Sequence, residues 1–115
     1  MKLSNPLALA LGALSLTSLI SCGSAKQPIT ADSSGSDVYA QSCAGCHNGG
    51  LKGWMTGAPK VGDAQAWLPL IAKGIEAMTA ASIQGFNKMP AKGGCDECSD
   101  EQIKAAIEVM VEQSK

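Results

Sequence analysis

The polar and apolar positions of this chain change character several times between its ends. Behind a single cation at Lys2, residues from Leu7 to Ile20 are largely apolar. A membrane span needs roughly 20 such residues, so the run is too short to cross a bilayer and reads as a cleaved export signal. Gly23 to Ser36 shows no apolar period and is expected to be a flexible tether with an r.m.s. span of roughly 20 Å. Ser36 is expected to cap a first helix, with Asp37 in its first turn. Val38, Tyr39 and Ser42 or Cys43 share one side of that helix, which Asn48-Gly49-Gly50 breaks. Leu51 to Asp63, with its glycines, lysines and Pro59, reads as a loop. Asp63 caps a short helix from Ala64 to near Lys73, made irregular or ended early by Pro69. The spacing of Ile75, Met78, Thr79, Ser82, Ile83 and Phe86 predicts another helix, and Asn87 to Cys98 a loop. Ser99-Asp100-Glu101-Gln102 has the form of a capping box. Beyond it Ile103, Ala106, Ile107, Met110 and Val111 recur at helical spacing. No stretch alternates with period two for long. The fold class is all-α.

The end of the apolar run sharpens the export reading. Leu19-Ile20-Ser21-Cys22 resembles the lipobox of bacterial lipoproteins, in which a small residue precedes the cysteine that is lipidated. Residues 1–21 are then a signal peptide, Cys22 the lipid anchor, 22–36 the tether and 37–115 the folded domain. Cleavage after Ala25 is the alternative, leaving a soluble periplasmic protein without Cys22. Gly23 after Cys22, where Asp is absent, favours the outer membrane.

From Cys22 onward the chain has eight Lys, ten acidic residues and no Arg, a net charge of −2. That balance gives no bulk attraction to nucleic acid. The charges are unevenly placed: residues 45–94 sum to +3 and residues 95–115 to −4. Aromatics are few, namely Tyr39, Trp54, Trp67 and Phe86. A domain this small buries only about 60% of its surface, so a bound apolar group would complete its core.

Cys43-Ala44-Gly45-Cys46-His47 supplies the means of holding one. C-x-x-C-H is the attachment pattern for c-type haem. On a helical turn, positions i, i+3 and i+4 share a face, so two thiols and an imidazole present themselves together. The thiols form thioethers to the haem vinyl groups while the imidazole reaches the iron from the same side.

Further motifs follow in order: Val38-Tyr39, Gly57-Ala-Pro-Lys-Val-Gly-Asp63, Trp67, Met89-Pro-Ala-Lys-Gly-Gly94, the pair Cys95 and Cys98, and Ser99-Asp100. Together with Cys43-Ala-Gly-Cys46-His47 they make Asp37 to Lys115 resemble a small class I cytochrome c, most nearly the bacterial cytochrome c-five group. The resemblance implies a monohaem cytochrome c fold and one covalent haem c, with His47 as proximal and Met89 as distal iron ligand. A thioether suits low-spin iron and raises its potential. Met78 and Met110 lie on apolar helical faces and read as core filler; Met55, beside the motif, is the rival ligand. Pro59 resembles the family proline whose carbonyl accepts the second imidazole N–H of His47, which would fix the tautomer. Trp67 is either a donor to a haem propionate or a buried aromatic. Asn87 reads as a turn residue, with a bond to the Met89 sulfur as its other role. Cys95 and Cys98 correspond to the disulfide of the c-five group, suited to an oxidising compartment.

Two features depart from the family. Lys52-Gly53-Trp54-Met55-Thr56 lengthens the segment after the haem motif, and Glu108-Val109-Met110 supplies no aromatic in the last helix, where Tyr39 is expected to pack instead. The function implied is single-electron transfer without substrate chemistry, exchanged with redox partner proteins that offer an acidic surface to the basic segment. A haem-based gas sensor or peroxidase-type subunit with a displaceable distal ligand is the alternative. A four-cysteine zinc module is a remote one, because the spacing between the two pairs is far longer than the usual 15 to 20 residues. A thioredoxin-like enzyme is disfavoured by the missing βαβ pattern.

Overall fold

A computed structural model describes residues 27–115. The signal peptide, Cys22 and the start of the expected tether, through residue 26, lie outside the described residues. Within them the elements are α1 (Gly35–Val38), a π-helical turn (Tyr39–Cys43), α2 (Ala44–His47), α3 (Gly50–Thr56), α4 (Ala64–Ile71), α5 (Ile75–Gln84), a 3₁₀ turn (Ala91–Gly94) and α6 (Asp100–Glu112). Among the described residues there is no strand, only an isolated antiparallel bridge between Phe86 and Met89. No helix among them is long and apolar enough to cross a membrane.

α6 is the spine. Ser99 accepts from the Gln102 amide while the Gln102 side chain accepts from the Ser99 amide, closing the predicted capping box. Ile103, Ala106, Ile107, Met110 and Val111 are all buried, joined by Val38, Cys43, Trp67, Cys95 and Cys98. Tyr39 packs against the same cluster, as does Met78. The first helix crosses α6 so closely that a Cβ on Gly35 would lie 2.5 Å from the Ala105 carbonyl. Only glycine fits there.

The structure differs from the pattern-based reading in four places. The first helix starts earlier, capped by Ser34, whose hydroxyl accepts from the Asp37 amide at 3.2 Å while the Asp37 carboxylate accepts from the Ser34 amide at 2.9 Å. Ser36, the expected cap, lies inside the helix. The segment before it is docked: Ile29 packs on the core and Gln102 Nε2 donates to the Thr30 carbonyl at 2.7 Å. The folded domain therefore begins before residue 37. Within Leu51 to Asp63, expected to be a loop, α3 forms and ends where Gly57 takes the left-handed conformation, which glycine adopts without penalty. Pro69 sits inside α4 without ending it; the carbonyl it leaves unpaired belongs to Gln65, an exposed residue that water can satisfy.

Candidate haem-binding site

The π turn feeds directly into the haem motif. The Ala44 amide donates to the Tyr39 carbonyl five residues back, widening the helix just before Cys43. Beyond the motif, the Tyr39 hydroxyl donates to Asn48 Oδ1, tying the two ends of the turn together. Cys43 is buried and Cys46 half-buried, and both are free thiols. Burial, and then the neighbouring Cys46 charge, push the Cys43 thiol up to about 11. Before attachment it is thus a neutral thiol at ordinary pH.

His47 follows on the same short helix. Its Nδ1 lies 2.9 Å from the Pro59 carbonyl oxygen. A carbonyl only accepts, so Nδ1 carries the proton and Nε2 is left with a lone pair to bind metal. The Pro59 loop is itself held at three points. The Val61 amide donates to the His47 carbonyl at 2.7 Å, Trp67 Nε1 to the Lys60 carbonyl at 2.8 Å, and the Gly62 amide to Ser114 Oγ at 3.0 Å. Trp67 is 2% exposed, with its ring centroid 6.1 Å from that of His47.

Met89 comes from the other side. The Phe86–Met89 bridge, with bonds of 3.0 and 2.9 Å, pins its backbone, and Asn87 takes the left-handed conformation (φ 53°) that the tight turn requires. A side chain on Gly93 would meet both Met89 Cε, at 3.8 Å, and the Ser42 carbonyl, at 3.7 Å. The loop thus brings the half-buried thioether toward the helix that carries the two thiols. Of the other methionines, Met110 is 4% exposed in the core and Met55 is 58% exposed on α3. Lys92 Nζ donates to the Cys98 carbonyl at 2.8 Å and pairs with Asp100 at 3.1 Å, joining the Met89 loop to the start of α6. Cys95 and Cys98 form a disulfide at the same junction. Among the described residues no group of three or more His, Cys, Asp or Glu side chains is placed to hold a metal ion. With Cys95 and Cys98 bonded to each other, the four-cysteine zinc reading loses two of its ligands.

Two free thiols beside an imidazole with a fixed tautomer are what covalent attachment of a haem requires. The apolar surface agrees: Leu51, Trp54, Met55, Leu68 and Phe86 are 58–80% exposed, more apolar surface than so small a domain needs to leave open. When bound, haem supplies an iron that passes between ferric and ferrous states by one electron. This chain's residues attach it, orient its ligand and shield it.

Sequence reasoning missed the supports behind these groups. Lys60 contributes through its backbone carbonyl, which carries no side-chain signal. Ser114 is 1% exposed, yet a lone serine near a run of polar residues reads as surface.

A helical domain with this site is what a class I c-type cytochrome requires, and comparison with known proteins agrees. Residues 30–110 match the family described as cytochrome C oxidase, cbb3-type, subunit III. Cytochrome c-555 of Chlorobaculum thiosulfatiphilum is 49% identical over 85 residues, covering 70% of this chain and 94% of that protein. Cytochrome c5 of Azotobacter vinelandii is 48% identical over 79 residues, covering 67% of this chain and 90% of its own. In a solved electron transfer complex of nitrite reductase with cytochrome c, one chain superposes with a TM-score of 0.64 and 33% identity, covering 70% of this chain and 94% of that one. The chain belongs to the class I monohaem c-type cytochromes, among proteins named cytochrome c5 and cytochrome c-555. Its cofactor is haem c, held covalently by the Cys43 and Cys46 pair, and it is a haem c electron carrier.

Proposed function

We propose that the protein shuttles single electrons between redox proteins on the exported side of a bacterial membrane, with His47 and Met89 as the axial ligands of its iron and no substrate chemistry of its own. One observation carries this reading: the Nδ1–Pro59 bond leaves Nε2 of His47 as the metal-binding atom, while the Phe86–Met89 bridge fixes a thioether on a loop near the same helix. Two protein ligands leave the iron no vacant position, which favours electron transfer over gas sensing or peroxidase chemistry. The apolar run ending in Leu19-Ile20-Ser21-Cys22 supports a lipid anchor at Cys22, holding the domain near the membrane, with the outer membrane favoured. The disulfide of Cys95 and Cys98 suits the same oxidising compartment.

The test is a spectroelectrochemical titration of the purified full chain with an intact mass. The expected result is a single one-electron transition, a mass carrying one haem and a lipid, and a ferrous form that is slow to bind carbon monoxide. Rapid carbon monoxide binding to the native ferrous protein would overturn the closed, six-coordinate reading in favour of the sensor.

A further inference from the structure

Lys92 adopts a backbone conformation uncommon for its residue type. It is left-handed (φ 54°, ψ 22°), as is Gly93 after it (φ 64°, ψ 18°). Glycine takes that conformation freely and asparagine tolerates it, whereas a lysine there carries a backbone cost that its side chain has to offset. The side chain is only 27% exposed, and its Nζ donates to the Cys98 carbonyl at 2.8 Å and lies 3.1 Å from Asp100 Oδ1. The Lys92 carbonyl in turn accepts from the Cys95 amide at 3.1 Å, and the Cys95 carbonyl from the Cys98 amide at 3.1 Å. With the buried disulfide inside it, the segment 92–98 closes on itself as a knot, which the ammonium spans from the Met89 loop to the first turn of α6. This knot backs the thioether. A side chain on Gly93 would meet Met89 Cε at 3.8 Å and the Ser42 carbonyl at 3.7 Å, so the Met89 side chain rests beside the backbone that Lys92 anchors. Upstream, Met89 is held by its bridge to Phe86; downstream, it is held by whatever fixes Lys92.

We infer that Lys92 is a positioning residue for the distal ligand: its ammonium, clamped on the Cys98 carbonyl, holds the Met89 loop shut and sets how often the thioether leaves the iron. This rests on the reading of Met89 as an axial ligand given above. The carbonyl bond carries most of the effect, because it is a charge-assisted hydrogen bond in a part-buried place. Asp100 is 60% exposed, so water screens its pairing with Lys92. Release of the clamp is a local opening of the loop. Such openings have lower free energies than global unfolding, so the rate at which the ligand leaves is separable from the stability of the domain.

The experiment mixes the ferric, haem-loaded full chain with imidazole by stopped flow and follows the haem absorbance. Imidazole takes the sixth position of the iron only after Met89 has left it, so at high imidazole the rate levels off at the rate of loop opening. The parent is compared with Lys92→Asn and Val111→Ala. Asn suits the left-handed backbone but is too short to reach the Cys98 carbonyl. Val111 is buried near the far end of α6, where truncation weakens the fold without touching the loop. Lys92→Asn is expected to raise the limiting rate about tenfold, with the weak near-infrared sulfur–iron band still present before imidazole is added. Val111→Ala is expected to lower the denaturation midpoint and leave the limiting rate at the parental value. An unchanged limiting rate in Lys92→Asn, with the sulfur–iron band present in the parent, overturns the inference alone. Equal acceleration in Lys92→Asn and Val111→Ala also overturns it, because ligand exchange then follows overall stability. A parent that lacks the band, and whose rate climbs in proportion to imidazole without levelling, overturns the Met89 reading and the inference with it.

Discussion

Replacing Gly35 by Ala tests the closest helix contact in the domain. An added methyl would sit 2.5 Å from both C and O of Ala105 and 2.9 Å from its Cβ. Comfortable carbon contacts lie near 3.5 to 4.0 Å, so α1 and α6 would have to part by about 1 Å. Nothing flexible stands in the way to yield, since the atoms met are backbone and a Cβ. Val38 is wholly buried one turn on, so parting the helices also loosens the core that it fills. Overpacking of this kind costs about 1–3 kcal/mol, against which Ala regains at most about 1 kcal/mol of helix propensity. Because the atoms met at 2.5 Å are backbone, the upper end of that cost applies, and the net loss of about 2 kcal/mol lowers the thermal midpoint by roughly 8–16 °C in a domain of this size. The assay is far-ultraviolet circular dichroism against temperature, at one oxidation state throughout. Gly45→Ala is the control: nothing lies within 4 Å of its Cβ, so its midpoint is expected to hold or rise. A Gly35→Ala protein as stable as the parent would refute the close-crossing argument.

Other perturbations reach the supports of the site. Ser114→Ala removes the acceptor of the Gly62 amide in a part-buried contact, which costs about 0.5–1.5 kcal/mol and should speed hydrogen exchange at that amide. Ser34→Ala should cost about 1 kcal/mol in chemical denaturation, while Ser36→Ala, inside the helix and exposed, should stay within about 0.5 kcal/mol. Replacing Cys95 and Cys98 together by Ala should lower stability by about 2 kcal/mol on the chain-entropy account, read from the same denaturation curves.

Legibility in the sequence followed locality. The capping box at Ser99 and the apolar stripe of α6 depend on residues within a few positions of one another, and both formed as their spacing predicts. The haem motif was readable for the same reason, since Cys43, Cys46 and His47 lie within one helical turn and a half. The cap at Ser34 was also local, with Asp37 three residues on, but Ser36 beside Asp37 offered an equally plausible reading. α3 was hidden because Gly49, Gly50, Gly53 and Gly57 carry the composition of a loop. Its reasons for folding are tertiary: Gly53 admits the Cys46 backbone and Gly57 ends the helix in a left-handed turn. Pro69 misled in the opposite direction, because its cost depends on whether the freed carbonyl meets water. The π turn at Tyr39–Cys43 left no mark in the residues themselves. Nor did the bonds to the Lys60 carbonyl and Ser114, which join positions that only the finished fold brings together.

The central claim is that His47 and Met89 close the iron from both sides. Its most direct test is the weak near-infrared sulfur–iron band of the oxidised protein, recorded for the parent and for Met89→Ala, Met55→Ala and Met78→Ala. The account predicts a band in the parent that Met89→Ala abolishes and that both other variants retain. A band that survives in Met89→Ala, or disappears in Met55→Ala, would contradict it.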